Sequence, residues 1–131
     1  MTQEERNLEA VQRWMHLYNT DVHRMIDESY AKDSAVYLMG VLTMKTPEQI
    51  HADDFHGAEA AILKTAPDRQ IRIERTLAKD DTVMVEGLFF GSDNNTGKQW
   101  EAPFCAVLTF RDGKIVLDHT YLDRANAPLA A

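Results

Sequence analysis

Apolar residues recur at helical spacing near the start of the chain and at strand spacing toward its end. Leu8, Val11, Met15, Tyr18 and Val22 follow one another at steps of three and four, which is one face of an amphipathic helix. Ala10, Trp14 and Leu17 widen the apolar stripe, and Thr2-x-x-Glu5 supplies a capping box at its start. The pattern resets at Asn19-Thr20-Asp21, residue types that favour caps and turns over helix interiors. A second helix is predicted from about Asp21 to Tyr30, with Met25 and Ile26 inward. Ala31-Lys32-Asp33-Ser34 predicts a turn, and Ala35 to Leu42 a β-type run interrupted by Gly40. Thr46-Pro47-Glu48-Gln49 predicts another helix start, with Thr as cap and Pro at the first helical position. After the polar segment from His51 to His56, a helix with Phe55, Ala58, Ala61 and Ile62 for burial runs to about Lys64, and Pro67-Asp68 ends it.

The remainder reads as β. Gln70 to Ala78 alternates, Lys79-Asp80-Asp81 turns the chain, and Thr82 to Phe90 follows. A loop from Gly91 to Gly97 leads to the longest β signal, two runs from Trp100 to Phe110 and from Lys114 to Asp123 that meet at Asp112-Gly113. Val116, Asp118, Thr120 and Leu122 share one face of the last run, and Leu117, His119, Tyr121 and Asp123 share the other. Ala125 to Ala131 is predicted to be a loose tail. This order predicts one α+β domain over residues 1–131. Its N-terminal helices pack on the concave face of a curved, mostly antiparallel sheet, forming a cone-shaped α+β barrel. Such a cone is a deep, largely apolar pocket for a small ligand.

Charge narrows the partners. With 14 Lys and Arg against 21 Asp and Glu, the chain carries a formal charge of −7, so neither nucleic acid nor an anionic membrane surface is an expected partner. No apolar run approaches the length of a membrane span, and the polar, acidic start lacks the pattern of a secretory signal. A single cysteine cannot form an internal disulfide and suits a reducing, cytoplasmic setting.

Five stretches carry a resemblance: Trp14 to Tyr18; Tyr30-Ala31-Lys32-Asp33-Ser34-Ala35-Val36; His56-Gly57-Ala58-Glu59-Ala60; Lys79-Asp80-Asp81-Thr82-Val83; and Phe110-Arg111-Asp112-Gly113-Lys114-Ile115-Val116 with Tyr121-x-Asp123. The chain resembles the nuclear transport factor 2-like superfamily, and within it the SnoaL-like polyketide cyclases, ketosteroid isomerases and limonene epoxide hydrolases. The resemblance implies the cone fold and a homodimer, while the fold itself hosts many unrelated activities. Carried over by position, the isomerases' proton-shuttling carboxylate falls on Leu38, or on Met39 if the register slips. Their oxyanion-donating aspartic acid falls on Cys105, and their helix-one tyrosine near Trp14, with Tyr18 one turn on. The cyclases' last-strand aspartate falls on Thr120, and the acid stands one pocket-facing step earlier, at Asp118.

A polar residue amid an apolar strand face needs a partner or a task. Asp118 is the expected acid or base, its pKa raised by desolvation, with Tyr18 and Thr120 orienting a substrate oxygen. His119 with Asp123 replaces it if the register is off by one. Trp14, Leu38, His51, His56, Cys105 and His119 are the expected pocket-lining or substrate-binding residues. The cluster His51, Asp53, Asp54 and His56 matches no standard metal spacing, so no metal site and no cofactor are expected. The expected function is a cofactor-free acid–base enzyme, of isomerase, cyclase, dehydratase or epoxide hydrolase type, acting on a small apolar oxygenated molecule. The alternative is a non-catalytic ligand-binding or dimerisation module of the same fold.

Overall fold

In the computed structural model, which describes residues 1–40, 48–50 and 52–123, two helices precede the sheet. They are α1 (Gln3–Thr20) and α2 (Val22–Ser29). The capping box forms as its chemistry requires: Thr2 Oγ1 accepts from the Glu5 backbone N–H at 3.1 Å. The break at Asn19-Thr20-Asp21 is a cap between the helices, where Asp21 Oδ1 accepts from Arg24 N at 3.2 Å. Val11, Trp14, Leu17 and Tyr18 are the buried stripe of α1.

Six strands and a third helix follow: β1 (Tyr30–Gly40), β2 (Glu48–Ile50), α3 (Ala52–Thr65), β3 (Gln70–Lys79), β4 (Thr82–Ser92), β5 (Gln99–Arg111) and β6 (Lys114–Leu122). They form one sheet in the order β2-β1-β6-β5-β4-β3. All neighbours are antiparallel except β1 and β6, which run parallel and bring the first strand beside the last. The fold is α+β, with the helices covering one face of a curved sheet.

The expected turn at Ala31–Ser34 is instead part of β1, which starts at Tyr30 immediately after α2. The turn signal survives only as a register irregularity between Tyr30 and Ala35 in the pairing with β6. The expected helix start at Thr46 is also corrected. Glu48–Ile50 pairs with Val36, Tyr37 and Leu38 of β1, so cross-strand pairing overrides the local capping signal. Thr46 and Pro47 themselves lie outside the described residues, as does the predicted tail from Ala125.

The β5–β6 hairpin turns through Asp112 and Gly113 with φ of 53° and 77°, the two left-handed positions that an Asp-Gly pair supplies. On β5, Ala102, Phe104, Ala106, Leu108 and Phe110 are buried, which is the alternation of a strand with one face on a core. Val83, Val85 and Phe89 on β4 continue that face. Gly87 interrupts it because there is no room for a side chain. A Cβ there would stand 2.6 Å from the Arg72 carbonyl oxygen and 2.8 Å from the Phe104 ring. Edge strand β3 is tied to α1 by Asn19, whose side chain accepts from Ile71 N at 2.7 Å and donates to Ile71 O at 2.9 Å.

Candidate active site

Asp118 sits in the middle of β6 between Val36 of β1 and Leu108 of β5, and it is 3% exposed. Both carboxylate oxygens are held. The Tyr30 hydroxyl donates to Oδ2 at 2.6 Å, and the Thr120 hydroxyl, two residues along the same face, donates to Oδ1 at 2.6 Å. The Tyr30 oxygen in turn accepts from Trp14 Nε1 at 3.2 Å. A chain of hydrogen bonds therefore runs from α1 through the head of β1 to the centre of β6. Phe55 of α3 closes it from above, with its ring edge-to-face on Tyr30 at 5.1 Å.

Burial of Asp118 raises its carboxyl above the ordinary aspartate range, against the opposing pull of the Thr120 and Tyr30 hydroxyls. Tyr30 is raised well above the ordinary phenol value, first by burial and then by the Asp118 charge, so it remains a donor. Among the described residues no Arg or Lys forms an ion pair with Asp118. The carboxyl is thus oriented by neutral donors in a dry environment, which suits it to carrying a proton.

One helical turn along α1, Tyr18 belongs to a second buried cluster. Its hydroxyl donates to Glu59 Oε2 at 3.3 Å, and Arg69 Nη2 stands 3.6 Å from the same oxygen. Arg69 Nη1 donates to the Tyr18 carbonyl at 3.1 Å, and its guanidinium lies 4.1 Å from the Tyr18 ring centre. Glu59 and Arg69 are 8% and 4% exposed. Desolvation raises Glu59 to about 7 in spite of the Arg69 charge and the Tyr18 hydroxyl. Its charge also acts, as the smallest of the named causes, to raise Tyr30.

Several expected site residues fall elsewhere. Tyr18 joins Glu59 and makes no hydrogen bond to Asp118. Thr120 and Trp14 do join the Asp118 chain, and half-buried Leu38 is the sheet partner of Thr120 and packs on the core. Cys105 and His119 do not line the concave side. Cys105 pairs with Glu86 and Tyr121, and His119 stacks edge-to-face on Tyr37 at 5.2 Å. They occupy odd positions of β5 and β6, so alternation turns them to the outer face, opposite Leu108 and Asp118. His56 is corrected likewise. It lies on the α2–α3 surface, stacked on His23 with 4.9 Å between ring centres, with Nε2 at 2.9 Å from Asp27 Oδ1. His51 lies outside the described residues. Among the described residues no three His, Cys, Asp or Glu side chains gather as metal ligands.

Residues 11–117 match the SnoaL-like domain family. The chain belongs to that family. No curated protein sequence matches it. Among solved structures, this SnoaL-like chain is similar to IdmH of Streptomyces antibioticus, a proposed polyketide cyclase: TM-score 0.81 and 17% identity, over 92% of this chain and 94% of that one. A phenazine biosynthesis-related protein of Pseudomonas aeruginosa gives TM-score 0.77 and 21% identity over 95% and 79%. A protein of Catenulispora acidiphila with a ketosteroid isomerase-like fold, solved with trimethylamine, gives 0.76 and 15% over 91% and 88%. At these identities the likeness is one of fold.

Tyr30, Glu59 and Arg69 were not singled out by the sequence patterns. Glu59 had a legible signal, since Phe55, Ala58, Glu59 and Ile62 follow the i, i+3, i+4, i+7 rule and put a carboxylate within an apolar stripe. Tyr30 was hidden by its reading as the last residue of a helix. Arg69 sits in the α3–β3 connection, where no periodicity applies.

Proposed function

We propose that this SnoaL-like chain is an acid–base enzyme that moves a proton on a small, largely apolar, oxygenated molecule held in its concave interior. The observation that carries the reading is the buried Asp118 carboxyl, held by two hydroxyl donors and, among the described residues, paired with no Arg or Lys. Each of its oxygens accepts one hydrogen bond and keeps a second lone pair, so the ionised form can take a proton from a carbon next to a carbonyl. The same carboxyl then returns the proton elsewhere on the molecule, as an isomerisation, cyclisation or dehydration requires. Tyr30, kept protonated and itself receiving the Trp14 N–H, gives its one O–H to Asp118 and so orients the carboxyl toward the reacting carbon. Thr120 fixes the carboxyl plane. All these groups are side chains, so the chemistry calls for no cofactor.

The protein acts as a homodimer in this reading, joined through the outer face of the sheet. Leu77, Met84 and Tyr121 are exposed there by 68%, 44% and 39%, an apolar surface that a second copy would cover.

Turnover by wild type and Asp118→Asn, across a panel of enolisable ketones and β-hydroxy ketones, tests the reading. A folded Asp118→Asn that loses activity at least ~100-fold supports it. A variant with full activity refutes it. A second reading, a ligand holder without turnover, is favoured by Leu38 at the isomerases' carboxylate position. It predicts saturable binding with no product from any member of the panel.

A further inference from the structure

The Glu59 end of the interior holds two buried donors with nothing to donate to. Arg69 Nε and Trp100 Nε1 are both out of solvent and without a hydrogen-bond partner. A buried N–H left unpaired costs about 1–3 kcal/mol, so two in one neighbourhood call for an explanation. The Trp100 ring and the Arg69 backbone meet at Gly91, where a Cβ would stand 3.0 Å from Trp100 Cζ2 and 3.1 Å from Arg69 Cα. The Arg69 guanidinium reaches from there to the Tyr18 ring, 4.1 Å from its centre. The aromatic walls continue from them, with Trp100 edge-to-face on Phe89 at 4.8 Å and Phe89 on Tyr18 at 6.2 Å.

We propose that this end of the concave interior recognises a carboxylate on the ligand, through Arg69 Nε and Trp100 Nε1, and that the ligand is a small aromatic or cyclic monocarboxylate. The inference rests on reading the interior as the substrate site. Both free groups are donors, one on a charged guanidinium, and a carboxylate is an acceptor-only group of opposite charge. Glu59 does not already fill that role. Its Oε2 is 3.6 Å from Arg69 Nη2, beyond hydrogen-bonding distance, and it takes the Tyr18 hydroxyl instead. With Glu59 titrating at about 7, the Arg69 charge is only partly balanced at neutral pH. A bound carboxylate supplies the missing charge while Glu59 takes up one proton, so binding strengthens as pH falls. The ionisable groups facing Glu59 are Tyr18 from α1 and Arg69 from the α3–β3 connection, with Tyr30 at the head of β1 sensing its charge. Trp14 and Tyr18 are one helical turn apart, about 6 Å of rise.

The test uses the ¹⁵N-labelled full chain, titrated with benzoate and with benzyl alcohol at pH 6 and pH 8. Trp14 and Trp100 give two separate indole N–H signals, of which only Trp14 is hydrogen-bonded in the free protein. Benzoate is expected to move the Trp100 signal downfield and saturate, with about tenfold tighter binding at pH 6 than at pH 8, the ratio that one proton taken up at about 7 requires. Glu59→Gln is expected to hold the pH 6 affinity at both values, and Trp100→Phe and Arg69→Lys to weaken binding several-fold. The proton-transfer reading is tested apart from this, by turnover of Asp118→Asn, so failure of the carboxylate site and failure of that reading are distinguishable. An unmoved Trp100 signal, equal binding of benzyl alcohol, or a pH dependence that survives Glu59→Gln would overturn the proposal.

Discussion

Tyr30 donates its hydroxyl to Asp118 at 2.6 Å, joining the first residue of β1 to the middle of β6 across 88 positions of chain. The bond depends on the parallel pairing of the first strand with the last, the one non-antiparallel pairing among the described residues. Tyr30→Phe removes the donor from Asp118 and leaves Trp14 Nε1 without its acceptor. The expected cost is about 1–3 kcal/mol in chemical denaturation, with the Asp118 carboxyl rising further because a hydroxyl that favours its ionised form is lost. The acid limb of any activity should move to higher pH. An unchanged midpoint and unchanged stability would place the bond outside the working site.

Glu59 makes stability depend on pH in a stated direction. Its folded value, about 7, lies above the ordinary 4.5, so its contribution is fully present below the unfolded value and is lost as pH rises through the folded one. Glu59→Gln mimics the protonated form. The variant should match wild type near pH 4.5 and exceed it at pH 8 by on the order of 3 kcal/mol. Urea melts at the two pH values check this, and a wild type that gains stability over Glu59→Gln between them would contradict it.

Gly87 is a packing site. Alanine there would press on the Arg72 backbone oxygen at 2.6 Å and the Phe104 ring at 2.8 Å, and a backbone atom cannot turn aside as a side chain can. Gly87→Ala should cost about 1–3 kcal/mol and lower the thermal midpoint by several degrees. A calorimetric scan with no change would mean that β3 and β4 are free to separate locally.

The outer face carries the dimer reading. Leu77 and Met84 are sheet partners on β3 and β4, so lysine at both would place two charges side by side on the proposed contact. Sedimentation should show a dimer for wild type and a monomer for Leu77→Lys with Met84→Lys. A wild-type monomer, or a variant that still dimerises, would remove that reading.

What the residues reveal on their own depends on how far apart the partners are. The α1 stripe, the Asp21 cap and the Asp112-Gly113 turn are local, and each forms as its pattern predicts. Alternation on β6 also put Asp118 and Thr120 on one face without any structure. The misplaced elements are those decided by distant pairing. Glu48–Ile50 became a strand because β1 offers an edge, and Tyr30 left its predicted helix to pair with Ile115. The same holds in the site. Family position draws Cys105 toward the pocket and a one-residue register slip would bring His119 there, while the strand parity turns both outward. The Glu59–Arg69–Tyr18 cluster joins α1, α3 and the segment before β3, and only Glu59 left a trace in the periodicity.

The central claim is that Asp118 is an ionising group of a working interior. Its most direct test is the pH dependence, from 5 to 9, of the binding of a phenol, which imitates an enol, followed by tryptophan fluorescence in wild type and Asp118→Asn. The account predicts saturable binding to wild type that weakens as pH falls through a single ionisation above the ordinary aspartate range, and a flat profile in Asp118→Asn. The same pH profile in both proteins, or no saturable binding to either, would contradict it.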